Sequence, residues 1–305
     1  DAQGDLTSAH AYAEEAVAVS REIGDRHGEA DAISLQVRLA DTQGKYSRAA
    51  RLARQAISIY RELDDSHAEA RQTAFLGRIL VSRSLRREGL GLMDRGMMQL
   101  RRLDARRALA VWLNIRGDLA RKRLELDAAA GYYEEGLAIF RAERNLRGVA
   151  WALTNLGIVA RQQKRLSESS QLIWEALRIR FELQDLKGIA EALDAMADLA
   201  LTEAEGSGPA SARNARRAAF LYGVADNVRA MIQTPLTGAR RKEMLRQRKT
   251  LRSLMGLRAL RYDYRQGAEV TMAEAVAYAL NPGLQPLDSG PAPTKRQTAG
   301  SVSVH

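Results

Sequence analysis

Few residues in this sequence could carry acid–base, nucleophilic or metal chemistry. Cysteine is absent, and the four histidines are His10, His27, His67 and His305. Without cysteine the chain has no thiolate nucleophile, no cysteine-ligated zinc or iron–sulfur site and no disulfide. His27 and His67 are 40 residues apart, which favours equivalent turn positions in a repeated unit over a catalytic base or a metal ligand.

The carboxylates form no catalytic pattern either. The three acidic pairs consist of adjacent residues, Glu14-Glu15, Asp64-Asp65 and Glu134-Glu135. Adjacent side chains on a helix point about 100° apart and cannot share a proton across a cleft. The sequence also lacks a His-Glu-x-x-His motif, a glycine-rich phosphate loop and a recognisable Ser/His/Asp set. We therefore expect no enzyme activity, no cofactor and no metal.

The charge distribution points to binding instead. The net charge is +10, with 31 basic and 31 acidic residues in 1–205, and 16 basic and 6 acidic residues in 206–305. The last part contains a predicted basic helix whose cationic residues are Arg240, Arg241, Lys242, Arg246, Arg248, Lys249 and Arg252. An apolar stripe of Met244, Leu245, Leu251, Leu254 and Met255 predicts that this helix also docks on the protein. Three interpretations stay open: a solvated capping face, a surface for an acidic protein, and a direct nucleic-acid contact.

Composition bounds the class of protein. The 305 residues are 46% hydrophobic and 28% charged, which is typical of a globular protein. No apolar run reaches the roughly 18 residues that a membrane-spanning helix needs, and the N-terminal segment does not have the pattern of a signal peptide. We expect a cytoplasmic chain without a membrane partner, cut from something longer.

The elements that position these side chains repeat every 40 residues. One register holds small residues in every copy, namely Ala30, Ala70, Ala110, Ala150 and Ala190, and the position seven residues later is small in most copies. Apolar residues within each unit are spaced by three and four, which indicates amphipathic helices. Each unit is therefore predicted to hold two helices, with Asp25, Asp65 and Asp185 as helix-capping residues between units. Gly89 and Gly91 make the second helix of repeat two the weakest prediction.

The repeated positions resemble the tetratricopeptide repeat (TPR) family. The family's first-helix pattern is met by Leu153-x-x-Leu156-Gly157-x-x-Ala160, and its second-helix pattern by Ala129-x-x-x-Tyr133 with Gly136-Leu137. The resemblance covers residues 4 to about 200. It implies an all-α, right-handed superhelical solenoid of about five helix pairs, which binds partners along the face made by the first helices.

The resemblance also implies which residues line that face. The candidate partner-binding positions are Arg38, Arg71, Arg78, Asn114, Arg121, Lys122, Trp151, Asn155 and Arg161. We expect the cations to bind carboxylates or phosphates of an extended ligand and the asparagines to hold its backbone. We expect Trp151 either to anchor a partner side chain or to pack on the neighbouring helix, whereas Trp112 and Trp174 pack between helices. The alternative for the arginines is that they are ordinary residues of a helix surface.

The C-terminal part has a second, narrower resemblance. The run Ala219-Phe220-Leu221-Tyr222-Gly223 and the segment 271–280 are similar to the C-terminal end of large bacterial ATP-dependent transcriptional regulators of the LuxR type. In those proteins the repeats are the sensor region, beside a nucleotide-binding module and a DNA-binding module. Neither module's motif is present in this chain, so ATP use and DNA reading do not carry over.

These observations predict four segments: a repeat array in 1–201, a loop in 202–211, the last repeat helix with a C-terminal helical cap in 212–280, and a disordered tail or linker in 281–305. The predicted function is a non-enzymatic, protein-, peptide- or ligand-binding sensor domain of a bacterial regulator of signalling or transcription. The alternatives are a free-standing TPR scaffold and, less favoured, a nucleic-acid binder through residues 240–252.

Overall fold

The computed structural model describes residues 2–206, 210–236, 238–271 and 274. In these ranges the chain consists of helices and turns without a strand. Thirteen helices follow one another along the chain: α1 Ala2–Glu22, α2 Arg26–Thr42, α3 Tyr46–Glu62, α4 Ser66–Ser82, α5 Arg86–Arg102, α6 Arg106–Arg121, α7 Leu126–Ala142, α8 Leu146–Gln162, α9 Leu166–Glu182, α10 Leu186–Ala204, α11 Ser211–Met231, α12 Gly238–Met255 and α13 Leu257–Glu269. The all-α repeat fold predicted from the 40-residue period is confirmed.

The turns between helices explain why the period is so regular. After α3, the amide of Asp65 donates to the carbonyl oxygen of Tyr60 at 2.9 Å, and that of Asp64 donates to Arg61 at 3.2 Å. This is a Schellman motif, in which one residue with positive φ closes the helix. The side chain of Asp65 then caps α4 by accepting from the amide of Ala68 at 2.9 Å. Asp25 and Asp185 cap their helices in the same way, so the predicted capping residues are confirmed.

The chain forms two compact units, 1–143 and 144–305. In the first unit each helix packs on its neighbours along the chain from α1 to α7. In the second, α8 to α11 continue as helix pairs, α13 packs on α11, and α12 contacts α10, α11 and α13. The cores include Ile33 and Ile79 in the first unit, and Leu193 and Leu221 in the second. The alanine register at Ala30, Ala70, Ala110, Ala150 and Ala190 is buried throughout.

Helix α5 is complete from Arg86 to Arg102, although Arg86, Gly89 and Gly91 made it the weakest helix prediction. A Cβ at Gly89 would lie 2.6 Å from the carbonyl oxygen of Gly77, and a Cβ at Gly77 would lie 2.5 Å from that of Gly89. The two glycines therefore let the backbones of α4 and α5 touch, and this packing holds α5. Gly91 faces open space.

At the C-terminal end, α10 extends to Ala204, and α11 begins at Ser211 and packs on it as a second helix. The predicted helix near 271–280 and the predicted tail 281–305 lie outside the described residues, apart from Thr271 and Glu274. Among the described helices none is long and apolar enough to cross a membrane.

Candidate binding surfaces

With Lys122 just after α6, Arg38 on α2 and Arg71 on α4 are the exposed cations of the predicted first-helix face in the first unit. Within the described part of the chain, neither guanidinium forms an ion pair. Several exposed arginines of the second helices are paired: Arg48 with Glu14 at 3.1 Å, and Arg54 with Glu88 at 3.8 Å. The first helices therefore present two guanidinium groups that form no ion pair with the described residues, although Arg71 lies within electrostatic range of Asp65 and Tyr60.

A cavity of about 400 Å³ adjoins Arg71. Charged groups line much of it, and its lining residues are His67, Arg71, Leu100, Asp104, Ala105, Arg106, Arg107, Ala108 and Glu143. Arg107 donates to Glu143 at 3.0 Å, so part of this charge is internally paired. Arg106 also lies 3.9 Å from Glu143, and Asp104 adds a second carboxylate to the lining. Within the described residues, Arg71 is the lining arginine without an ion pair, and it can bind a carboxylate or another anion.

Arg78 and Arg121 were predicted on the same face, but the fold engages both. Arg78 is ion-paired with Asp41 and lies over the ring of Phe75, 4.8 Å from its centroid. Arg121 donates to the hydroxyl oxygen of Tyr133 at 3.4 Å. Lys122, the residue after α6, is exposed.

Buried tyrosines of second helices reach carboxylates of first helices. The Tyr60 hydroxyl donates to Asp31 at 2.7 Å, and that of Tyr133 donates to Asp118 at 2.7 Å. Burial, and then the hydrogen bond to Asp31, raise the pKa of Tyr60 to about 12. Burial, and then the charge of Asp118, raise the pKa of Tyr133 further above its usual value. Both phenols therefore stay protonated donors, and each fixes a carboxylate on the first-helix face.

The two asparagines do not lie where a ligand could reach them. Asn114 is completely buried, its side-chain amide donates to the carbonyl oxygen of Ala110 at 3.3 Å, and it packs where a Cβ at Gly136 would lie. Asn155 is also buried. The expectation that they hold a ligand backbone is corrected, because close packing with the second helix places this register inside the unit.

In the second unit, Trp151 is half-buried. Arg161 donates to the hydroxyl oxygen of Thr202 at 3.2 Å and lies 3.7 Å from Asp198. Trp174, expected to pack between helices, is 39% exposed instead, with Arg178 over its ring. In the first unit, Trp112 is buried beside Phe75, as expected.

The predicted basic helix is α12, and its cations divide into two groups. Arg240 and Arg248 point toward carboxylates: Arg240 toward Asp194 and Asp198, and Arg248 toward Asp226 at 3.0 Å. The exposed group consists of Arg241, Lys242, Arg246, Lys249 and Arg252. The helix is thus not a uniformly solvated surface, because one of its sides is docked through charge and through buried Met244 and Leu251.

The carboxylate pair, Asp194 and Asp198 on α10, organises this docking. Asp198 accepts hydrogen bonds from the Tyr222 hydroxyl at 2.6 Å, from Gln247 at 2.7 Å and from two nitrogens of Arg240 at 3.2 Å. Asp194 is ion-paired with Arg229 and accepts from Arg240 at 3.2 Å. Burial raises the pKa of Asp194, against the lowering effect of its arginines.

Sequence reasoning did not join the carboxylate pair to the basic helix. The available signal was an acidic pair spaced i, i+4 in the otherwise apolar stretch 192–201, followed in the chain by a strongly basic helix.

Comparisons with known proteins identify the repeat. Residues 149–181, which run from α8 into α9, match the tetratricopeptide repeat family. No curated protein matches the sequence. Among solved structures, the chain is similar to the crystal structure of BtubC (BKLC) from P. vanneervenii, with 16% identity and a TM-score of 0.60 over 77% of this chain and 94% of that one. At this identity the likeness shows the fold alone. The chain is a TPR-like helical array, and such repeats generally serve protein interaction.

Proposed function

We propose that this chain is a non-enzymatic, TPR-like sensor domain that binds an acidic protein or peptide segment within a bacterial regulator of signalling or transcription. The observation that supports the binding surface is the pair of exposed guanidinium groups of Arg38 and Arg71, on successive first helices, which form no ion pair within the described residues. The nearby cavity adds further cationic lining around Arg71. Carboxylates of an extended segment would bind there by charge-assisted hydrogen bonds.

The regulator context rests on the sequence similarity of residues 219–223 and 271–280 to bacterial LuxR-type regulators. In that setting a nucleotide-binding module and a DNA-binding module would belong to parts of the protein beyond this chain. A ligand that bridges α2 and α4 would favour one arrangement of these helices over others, and an attached module would sense that preference. A free-standing scaffold, the alternative, would use the same surface without attached modules.

A charge-reversal experiment tests the surface. Fluorescence anisotropy with a labelled glutamate-rich peptide should show binding that weakens as salt rises. The double variant Arg38→Glu, Arg71→Glu should bind at least about tenfold more weakly, because each reversal replaces an attraction by a repulsion of about 1 kcal/mol. Arg78 is unsuitable for this test, because reversing its charge would leave Asp41 facing a second carboxylate.

The matched control is Arg51→Glu, Arg87→Glu, which makes the same charge change at exposed positions of the second helices. We expect less than a twofold effect on peptide affinity. Equal losses in the two double variants would show that net charge governs binding and would reject the first-helix surface. Tight binding of random duplex DNA, lost on neutralising Arg241 and Lys242, would favour the nucleic-acid alternative instead.

A further inference from the structure

Arg240 is held by the carboxylate pair in the manner of a bound ligand. Its guanidinium bridges both carboxylates, with Nε donating to Asp194 and both terminal nitrogens donating to Asp198, each at 3.2 Å. Two donors on a rigid fork match two acceptor oxygens, which is the geometry by which arginine is recognised between molecules. About two helical turns further along α12, Gln247 donates to the same Asp198 at 2.7 Å.

The carboxylate pair lies on the first helix of the last helix pair, four periods after Ser34 and Arg38. Asp194 shares the buried register of Ser34 and Asn114, whereas Asp198 shares the register of Arg38, on the face that we propose for partner binding in the first unit. In the second unit it is occupied by α12, a helix outside the repeat, and its charge is opposite to that of Arg38 and Arg71.

The anchors of α12 are the ion pairs of Arg240 and Arg248, the contact of Arg248 with Tyr264, and a few buried side chains. Its buried residues are Met244, Gln247 and Leu251. Gly238, at its start, and Gly256, just after its end, have φ of 55° and 80°, and no atom lies within 4 Å of where their Cβ would be. These glycines allow α12 to pivot with little steric cost.

Helix α13 contacts α12 through Tyr264, whose hydroxyl accepts from Arg248 and whose ring lies beneath that guanidinium, but α13 is also held by α11. The carboxylate of Asp263 is completely buried and accepts two hydrogen bonds from Arg216 of α11, at 2.9 and 3.0 Å. Gly223 and Gly267 bring the backbones of α11 and α13 into direct contact. Release of α12 would therefore leave the packing of α13 on α11 in place.

The docked helix does not satisfy all polar atoms of the pocket. Oδ1 of Asp194 and Oε1 of Gln247 are buried without a hydrogen-bond partner among the described atoms. Unsatisfied buried acceptors are costly. A ligand that supplies further donors can therefore compete with α12.

We propose that Asp194 and Asp198 form a guanidinium-binding site, occupied in this chain by Arg240 and open to an arginine-bearing helical segment of a partner. Binding of the partner segment displaces α12. The α12 helix acts as an internal competitor, so the second unit accepts a basic ligand only at the cost of releasing its own helix.

The first test is hydrogen exchange on the full chain. In Arg240→Glu, amide protection across 240–255 should fall by about tenfold or more, because a charge-assisted hydrogen-bond pair is replaced by repulsion. Protection of α13 should fall by much less, because Arg216 and the backbone contact at Gly223 and Gly267 still hold α13 on α11. The control Arg241→Glu makes the same charge change at the adjacent exposed residue and should leave α12 protection as it is.

The second test supplies the competitor as a separate molecule. A labelled synthetic peptide of residues 238–255 should bind the Arg240→Glu chain at least about tenfold more tightly than the unaltered chain, and Asp198→Asn in that variant should abolish the gain. Equal peptide affinity for both chains, or unchanged α12 protection in Arg240→Glu, would overturn the proposal. If Arg240→Glu does not fold, Arg240→Lys keeps the charge, loses the two-nitrogen contact and must show the same changes at smaller size.

Discussion

Residues with a positive φ, in the left-handed region of the backbone, close the turns between the helices of this repeat, and most of them are not glycine. Gly24 and Gly44 have positive φ in the first two turns. At 20-residue intervals after them the same conformation is adopted by Asp64, Ser84, Asp104, Leu124, Arg144, Lys164 and Gln184. For an L-residue with a Cβ this costs about 1–2 kcal/mol. Packing of the two helices on either side compensates for that cost in each turn.

Leu124 offers the cleanest test of this cost, because its φ is 63° and its side chain is mostly exposed. Leu124→Gly should stabilise the protein by about 0.5–1 kcal/mol, since relief of the backbone strain exceeds the entropy that glycine loses on folding. The urea midpoint measures this. Leu124→Ala is the control and should give little gain, because alanine keeps the Cβ; an equal gain would attribute the effect to removal of an exposed leucine.

Among the elements, α5 shows how context overrides helix propensity. Its two glycines look equivalent in the sequence, yet Gly89 lies against the backbone of α4 and Gly91 faces solvent. One glycine creates the closest approach of the helix pair, and the other only reduces the helix-forming tendency. Propensity alone could not separate them, because the difference arises from the partner helix.

The two positions should respond to alanine with opposite signs. Gly89→Ala should destabilise the protein by about 1–3 kcal/mol, because the new methyl group meets the carbonyl oxygen of Gly77. Gly91→Ala should stabilise it by about 0.5–1 kcal/mol. Chemical denaturation of both variants, each the control of the other, measures the difference. Changes of the same sign would contradict the close backbone contact between α4 and α5.

Helix α12 marks the limit of what periodicity can predict for an element. Its helical character follows from sequence spacing and agrees with the structure. Of the predicted apolar stripe, Met244 and Leu251 are buried, whereas Leu245 and Leu254 are 59% and 43% exposed. Its docking through Arg240 does not follow, because the contact joins residues 42 and 46 positions apart that belong to no common repeat. A sequence repeat predicts contacts between residues one period apart, and α12 does not belong to the repeat.

For the whole molecule, the repeat fold could be predicted because small residues recur at the same positions of successive helix pairs, where they are buried between packed helices. The accessible part of the first-helix face could be predicted only in part. Arg38 and Arg71 are exposed, but Asn114 is buried and Arg78 is paired with Asp41. The position of a residue within the repeat predicts which helix carries it. The length of its side chain and the nearby carboxylates decide whether that side chain reaches solvent.

In a helical array of compact units, a core deletion should remain local. Leu193 is completely buried in the core of the second unit, and Leu193→Ala should cost about 2–5 kcal/mol. Hydrogen exchange should show lost protection in α8 to α11 and little change in α2 to α4, because each helix pair is stabilised mainly by its neighbours. Uniform loss along the chain would show that the protein unfolds as a single cooperative body.

The recurring Schellman turns also bear on how such a chain can change over generations. Each turn closes one helix and begins the next with backbone hydrogen bonds, and the same motif works with glycine, aspartate, leucine or lysine at its left-handed position. Duplication or loss of the DNA that codes for one whole helix pair would therefore join two ends that already fit. The binding face could gain or lose a segment in one genetic event, without a new loop having to evolve.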